Sequence, residues 1–122
     1  MQIGGIDHVQ ITIPTGAEGE ARAFYCDLLG LPEIPKPETL AGRGGFWLRV
    51  GSMTLHVGTE PEWDRSVTKA HVAFVVDDVH IWRERIEDAG FQTLAGAEIP
   101  GHERFEFRDP FGNRIEIISR SS

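Results

Sequence analysis

The sequence predicts an α+β fold made of two tandem βαβββ modules, with mixed sheets that form a cleft or half-barrel and helices on the outside. The first observation behind this prediction is a repeat: a strand-type segment has a histidine near its start at His8 and again at His71. The second is that each segment leads into an amphipathic helical pattern that ends at a glycine, Gly30 or Gly90. The same order of elements is therefore predicted twice, at an offset of about 60 residues.

The length and charge of the chain indicate one domain that binds neither nucleic acid nor membranes. A chain of 122 residues has room for one modest core, so we expect a single domain over residues 1–122, with module 1 at about 4–59 and module 2 at about 68–118. The net charge of −7 argues against nucleic acid, because phosphate binding requires a cationic surface. No apolar run approaches the roughly 20 residues of a transmembrane helix.

The expected compartment is the cytoplasm. Cys26 is the only cysteine, so no internal disulfide can form, which suits a reducing environment. The first five residues lack the basic start and apolar stretch of a secretion signal.

In the first half, apolar residues alternate with others over residues 6–13, which predicts a strand. Thr15 and Glu18 have the spacing of a capping box at the start of the following helix. Gly30 is placed to end that helix in a left-handed conformation. The apolar stripe of the helix comprises Ala21, Phe24 and Leu28, widened by Tyr25 and Leu29.

The second half repeats this pattern. Residues 70–76 form the strand, and Asp77 or Asp78 is the expected N-cap of the helix that ends at Gly90. The helical stripe comprises Val79, Trp82, Ile86 and Ala89. The predicted hairpins pair 46–50 with 53–57 and 104–108 with 114–118, and the remaining strand of each module is expected within 32–44 and 92–99.

Strand periodicity decides which way the metal-ligand type side chains point. Val9, Ile11 and Ile13 are expected to cover the helix, so His8 faces the other side of the sheet. The same argument applies to the other strands, and the residues turned away from the helices are His8, His56, His71 and Glu116. Three imidazoles and a carboxylate suit Zn²⁺, Ni²⁺, Co²⁺, Mn²⁺ or Fe²⁺. Of these, His8, His71 and Glu116 have the composition of an iron-binding facial triad.

Three further residues are candidates for substrate binding. Trp47 and Arg49 alternate with apolar residues, so they are expected on the same face as His56. There Trp47 would stack on a flat substrate and Arg49 would pair with a carboxylate or phosphate, or both would simply face solvent at a strand edge. Gln10 shares a face with His8 and is the third candidate.

The sequence resembles the vicinal oxygen chelate superfamily, which includes glyoxalase I, extradiol dioxygenases, fosfomycin-resistance enzymes and bleomycin-binding proteins. The resemblance covers nearly the whole chain and is carried by Ile6-Asp7-His8-Val9, Ala23-Phe24-Tyr25 with Leu28-Leu29-Gly30-Leu31, Lys69-Ala70-His71-Val72-Ala73-Phe74, and Phe107-Arg108-Asp109-Pro110-Phe111-Gly112-Asn113-Arg114-Ile115-Glu116. It implies metal ligands on the first and last strand of each module, which here are His8, His56, His71 and Glu116.

The resemblance implies a metal-dependent lyase or isomerase of the glyoxalase kind, which binds two adjacent oxygens of a small substrate to a divalent metal. Glu116 or His56 would move the proton. Glyoxalase I has a carboxylate where this chain has His56, which argues against that activity itself. Two alternatives remain: a single-domain extradiol dioxygenase that uses Fe²⁺, and a bleomycin-resistance-like protein that sequesters an antibiotic. We also expect a homodimer, because open sheet edges favour pairing between chains.

Overall fold

The computed structural model describes residues 1–120, and the chain divides into two compact units. The first unit is Met1–Trp63, and the second begins at Asp64. Each contains one mixed sheet and one principal helix, which confirms the predicted α+β class with two βαβββ-like modules. No helix in the described range is long and apolar enough to cross a bilayer.

The first module is built on a four-stranded sheet in the order β1-β4-β3-β2. Its strands are β1 (His8–Pro14), β2 (Glu33–Ile34), β3 (Phe46–Val50) and β4 (Met53–Glu60). Strand β1 runs parallel to β4, whereas β4–β3 and β3–β2 are antiparallel. The predicted hairpin is β3–β4, and the faint strand predicted within 32–44 is the two-residue edge strand β2.

The hairpin of the first module alternates as predicted. One face supplies buried core residues, namely Phe46, Leu48, Leu55 and Val57. Trp47 and His56 lie on the opposite face, directly across from each other. The prediction is wrong at the start of β1, where Val9 is exposed and only Ile13 is fully buried, because the core does not extend along the first residues of this strand.

Helix α1 (Glu18–Arg22) begins without the predicted capping box. No side chain caps its first turn. The Glu18 carboxylate accepts a hydrogen bond from the backbone N–H of Gly45 at 3.2 Å, and no bond pairs it with Thr15 as a capping box would. Glu18 therefore connects the start of the helix to a residue 27 positions away in the sequence.

The continuation of α1 is a π-helix over Ala23–Leu28. The N–H of Leu29 bonds to the carbonyl of Phe24 at 3.0 Å, one residue farther along the chain than in an α-helix. This wider turn brings Leu29 into the core, whereas Leu28 in the predicted stripe is only half-buried. Gly30, with φ +75°, ends the helix as predicted.

The second module has a three-stranded sheet in the order β5-β7-β6. Its strands are β5 (His71–Val75), β6 (His102–Arg108) and β7 (Arg114–Arg120), with β5 parallel and β6 antiparallel to β7. Phe105, Phe107, Ile115 and Ile117 are buried on one face, so Glu116 lies on the other. This confirms the second predicted hairpin and its alternation.

Helix α2 (Val79–Asp88) begins at the predicted cap. The Asp78 carboxylate accepts hydrogen bonds from the N–H groups of His80 (3.0 Å) and Ile81 (3.2 Å). Ala89 is exposed rather than part of the core stripe, because the helix has already ended before it. The strand expected within 92–99 is reduced to one bridge, in which Leu94 pairs with Glu106 of β6.

Candidate functional site

In the first module, three aromatic rings stack across adjacent strands. The rings of His8 and His56 are 3.9 Å apart between centroids and 14° from parallel. The rings of Trp47 and His56 are also 3.9 Å apart and are 3° from parallel. Because β4 lies between β1 and β3, His56 is held between the other two rings. Gln10 sits beside His56 in the β1–β4 register.

His56 is kept neutral by this environment. Its residue surface is only 8% exposed. Burial lowers the pKa of His56 below its ordinary value of 6.5, and the neighbouring His8 lowers it further. No hydrogen bond to its ring is present among residues 1–120, so a ring nitrogen is available as a metal ligand or a base.

In the second module, Glu116 belongs to a buried network of charges. Arg104 donates hydrogen bonds from Nη2 to Glu116 (2.9 Å) and to Glu106 (2.6 Å), and Arg114 also donates to Glu106. The hydrogen bond from Arg104 lowers the pKa of Glu116 despite its burial. For Glu106, burial alone would raise the pKa, but the bonds from Arg114 and Arg104 outweigh it and the pKa is lowered. Both carboxylates are therefore ionised near neutral pH.

His71 and His8 are oriented as metal ligands usually are. Nδ1 of His71 is 2.9 Å from the carbonyl of Lys69, and Nδ1 of His8 is 2.9 Å from the Asp7 carboxylate. Since both partners only accept hydrogen bonds, each Nδ1 must be the donor. This leaves Nε2 of each ring as the ligand atom, the arrangement found around metal-bound histidines.

Nε2 of His71 faces Oε1 of Glu116 at 3.4 Å. With the proton on Nδ1, both facing atoms present lone pairs, and Oε1 keeps one besides the hydrogen bond that it accepts from Arg104, so a cation or a proton can bind between them. Two ligands about 2.1 Å from one ion at a tetrahedral angle are about 3.4 Å apart. The donor chemistry and the spacing of this pair therefore fit a divalent metal.

The four predicted ligands occur as two pairs, one within each module. His8 is stacked on His56, and His71 faces Glu116. Among residues 1–120, no group of three or more His, Cys, Asp or Glu side chains is arranged to hold a metal. A site with all four ligands therefore remains a prediction.

A cavity of about 300 Å³ adjoins the stack in the first module. Of the predicted substrate-binding residues, Gln10 and Trp47 line it, and so does His56. Arg49 is exposed on β3 and is not among the lining residues, whereas two other cations, Lys36 and Arg43, are. The full lining comprises Gln10, Lys36, Leu40, Arg43, Gly44, Trp47, His56, Val57, Gly58 and Thr59.

Lys36, Arg43 and Arg104 escaped the sequence reasoning for different reasons. The sequence around Lys36 and Arg43 has no strand or helix periodicity, so it did not predict the direction of their side chains. In the structure Arg43 is the last residue of the 3₁₀-helix Glu38–Arg43. Arg104 has a usable signal: it shares strand parity with Glu106, and Glu106 pairs with Glu116 in the hairpin register. Its diagonal position beside Glu116 follows from those two facts.

These features agree with the comparisons to known proteins. The profile of the Glyoxalase/Bleomycin resistance protein/Dioxygenase superfamily matches residues 5–117. A crystal structure from Bacillus anthracis, assigned to the glyoxalase family, is similar over 99% of this chain and 98% of its own, with 40% identity and a TM-score of 0.90. The chain belongs to this superfamily, which confirms the resemblance seen in the sequence.

More distant structures share the fold. The fosfomycin resistance protein FosX from Listeria monocytogenes has 16% identity and a TM-score of 0.78, with 98% of this chain and 96% of that chain covered. Lactoylglutathione lyase from Agrobacterium tumefaciens has 20% identity and a TM-score of 0.74 at the same coverage. The antibiotic-binding protein TnmS3 from Streptomyces sp. CB03234 has 17% identity and a TM-score of 0.72, covering 98% of this chain and all of its own. No curated protein matches the chain.

Proposed function

We propose that this protein is a metal-dependent lyase or isomerase of the glyoxalase kind. Its substrate is a small oxygen-rich molecule that binds one divalent metal, Zn²⁺, Ni²⁺, Co²⁺, Mn²⁺ or Fe²⁺, through two adjacent oxygens. The proposed ligands are the two pairs described above, His8 with His56 and His71 with Glu116. We also expect the enzyme to act in the cytoplasm.

The facing lone pairs of His71 and Glu116 carry this proposal. Nε2 of His71 and Oε1 of Glu116 are 3.4 Å apart, and the carbonyl of Lys69 fixes the ring so that Nε2 points at the carboxylate. A structural ion pair would need the imidazole protonated. A metal ion would satisfy both atoms without that second proton on the ring.

The bound metal would supply a Lewis acid that stabilises negative charge developing on a substrate oxygen. Between the two candidate bases, His56 is better suited to move a proton. The pKa of Glu116 is lowered by Arg104 from an ordinary value of 4.5, so this carboxylate is a weak base. His56 starts from 6.5 and is neutral at pH 7, which leaves it able to accept a proton.

Calorimetric titration tests the ligand assignment. Protein purified without a nickel column and treated with chelator would be titrated with Zn²⁺ and Ni²⁺. We expect His56→Phe and Glu116→Gln each to weaken binding by about ten-fold or more, because each loses a ligand or a charge. His80→Gln is the matched control, since this exposed imidazole pairs with Glu103 on the protein surface. Unchanged affinity in Glu116→Gln would refute the proposed metal site.

A second candidate is a protein that binds a flat aromatic antibiotic. The stack of Trp47, His56 and His8 favours it, because stacked rings offer a planar surface to an aromatic ligand. Metal-independent ligand binding with no turnover would support this candidate. Oxygen consumption in the iron-loaded protein would instead identify a ring-cleaving dioxygenase.

We also propose a homodimer. β1 and β5 are edge strands of their own sheets, and such edges favour pairing with another chain. Light scattering at micromolar concentration should give about twice the chain mass of 13.6 kDa. The monomer mass alone would contradict the proposal.

A further inference from the structure

One wall of the cavity in the first module is formed by the segment between β2 and β3, which includes a 3₁₀-helix (Glu38–Arg43) and is held in place by hydrogen bonds. Nζ of Lys36 donates a hydrogen bond to the carbonyl of Gly44 at 2.6 Å, and the N–H of Gly45 donates to Glu18 at 3.2 Å. Gly45 has φ +75°, and a Cβ there would lie 2.1 Å from the backbone carbonyl oxygen of Val57. Only glycine allows this approach to β4, so the position of the loop is built into the fold.

The charge of this cavity is opposite to that of the chain. The protein has 19 acidic and 12 basic residues. Yet two cations, Lys36 and Arg43, line the cavity, and its lining within residues 1–120 includes no carboxylate. A small cavity whose described lining holds two cations and no carboxylate attracts anions, although the chain as a whole is acidic.

Both cations keep hydrogen-bond donors for a ligand. Arg43 makes no hydrogen bond or ion pair with any residue between 1 and 120, so its whole guanidinium is free. Lys36 uses one of its three ammonium donors on Gly44. An oxyanion in the cavity would accept hydrogen bonds from these charged donors, and such charge-assisted bonds are the strongest class of hydrogen bond in proteins.

The rest of the wall suits a short carbon skeleton beside the anion. Leu40, Val57 and Trp47 supply apolar surface. The Gln10 amide adds a neutral polar group, and the absence of a side chain at Gly58 makes room for it, since a Cβ there would be 2.8 Å from Nε2 of Gln10. A volume of about 300 Å³ fits a molecule of the size of a monocyclic acid.

We propose that this cavity binds the anionic end of the substrate, a carboxylate, phosphonate or phosphate held by Arg43 and Lys36. The assignment of a substrate class rests on the proposed function, because the cavity adjoins His56 of the proposed metal site. The anion itself binds without metal, so it can be measured separately. Arg43 and Lys36, rather than Arg49, are the residues that select for charge.

Nuclear magnetic resonance on chelator-treated protein tests the assignment. The probes are phenylphosphonate and benzoate, with benzamide as a neutral molecule of the same shape. The Trp47 indole signal, assigned with Trp47→Phe, reports binding in the cavity. We expect both anions to bind more tightly than benzamide, and Arg43→Gln and Lys36→Gln each to weaken the anions by about ten-fold with little effect on benzamide.

Two further variants serve as controls. Arg120→Gln removes the same charge from an exposed position at the end of β7 and should leave anion binding unchanged. Arg43→Lys keeps a cation and should recover much of the affinity lost in Arg43→Gln. Unchanged amide signals in the β3–β4 hairpin would show that the variants fold normally.

Several results would overturn the anion site: no binding of either anion at millimolar concentration, equal binding of benzamide, or loss of anion binding in Arg49→Gln but not in Arg43→Gln. Failure of the proposed function looks different. If no divalent metal binds while Arg43→Gln still weakens the anions, the metal chemistry is wrong and the anion site stands.

Discussion

The two modules surround equivalent positions in opposite ways. His56 and Glu116 occupy the last strands of the first and second module, face away from the core and are 8% and 6% exposed. His56 is neutral and lies between two aromatic rings. Glu116 is ionised and is bonded to Arg104, which it shares with Glu106. The repeat thus preserves the direction of the side chain but not its environment.

Because of this difference in surroundings, substituting His56 and substituting Glu116 should have different effects on stability. A ring can replace His56 without leaving a buried polar group unpaired, because its neighbours stack rather than bond. Removing a member of the Arg104 network leaves a buried charge without its partner, which is strongly destabilising. We therefore expect substitutions in the first module to affect ligands, and those in the second module to affect both ligands and folding.

The largest effect is expected for Arg104→Met in the metal-free protein. The variant leaves Glu116 and Glu106 without their shared cation, so the free energy of unfolding should fall by about 3–5 kcal/mol. Urea denaturation of chelator-treated protein measures this loss. Arg49→Met is the control, because that side chain is exposed and should change stability by less than about 0.5 kcal/mol.

A double variant sharpens the same test. Arg104→Met combined with Glu116→Gln removes both charges, so its loss should be smaller than the sum of the two single losses. Additive losses would mean that the bond between Arg104 and Glu116 contributes nothing to stability.

The next largest effect concerns metal removal. A metal that binds only the native state adds about 2.7 kcal/mol when its free concentration is 100 times Kd, which corresponds to about 10 °C in Tm for a chain of this size. Differential scanning calorimetry with and without chelator measures the shift. If one ion uses ligands from both modules, His56→Phe and Glu116→Gln should each reduce it. A shift lost only in Glu116→Gln would assign the ion to the second module alone.

The smallest effect is a difference in pH dependence between the modules. The folded-state pKa of His56 is lowered below 6.5, so its contribution to stability is present above about pH 6.5 and is lost as the pH falls through the folded-state pKa. The pKa values of Glu116 and Glu106 are lowered below 4.5, so the same loss occurs in the second module only below about pH 4.5.

Denaturation of the metal-free protein between pH 2 and pH 8 would resolve the two steps. His56→Phe should remove the step that begins near pH 6.5 and leave the acidic one. If His56→Phe and the unaltered protein lose stability equally between pH 7 and pH 5, burial of His56 has no effect on its protonation.

Much of the fold was predictable because its signals are local. The strand pattern at His8 and again at His71, the cap at Asp78 and the alternation around His56 and Glu116 are each read from a short stretch of neighbouring residues. The capping box predicted at Thr15 and Glu18 was wrong: the helix begins after Ala17 without a side-chain cap, and Glu18 bonds to the distant Gly45.

By itself, the sequence determined the two-module order and the strand faces that carry the candidate ligands, because strand and helix periods are properties of the local backbone. Only the tertiary structure decided what surrounds those ligands. Register placed Trp47 and His8 on either side of His56, and the turn between β6 and β7 placed Arg104 against Glu116. The cations of the cavity, Lys36 and Arg43, come from the segment between β2 and β3, whose position depends on the close approach of Gly45 to β4. Which side chains become neighbours on adjacent strands is decided by strand pairing and packing, and the periodicity of a single strand does not contain that information.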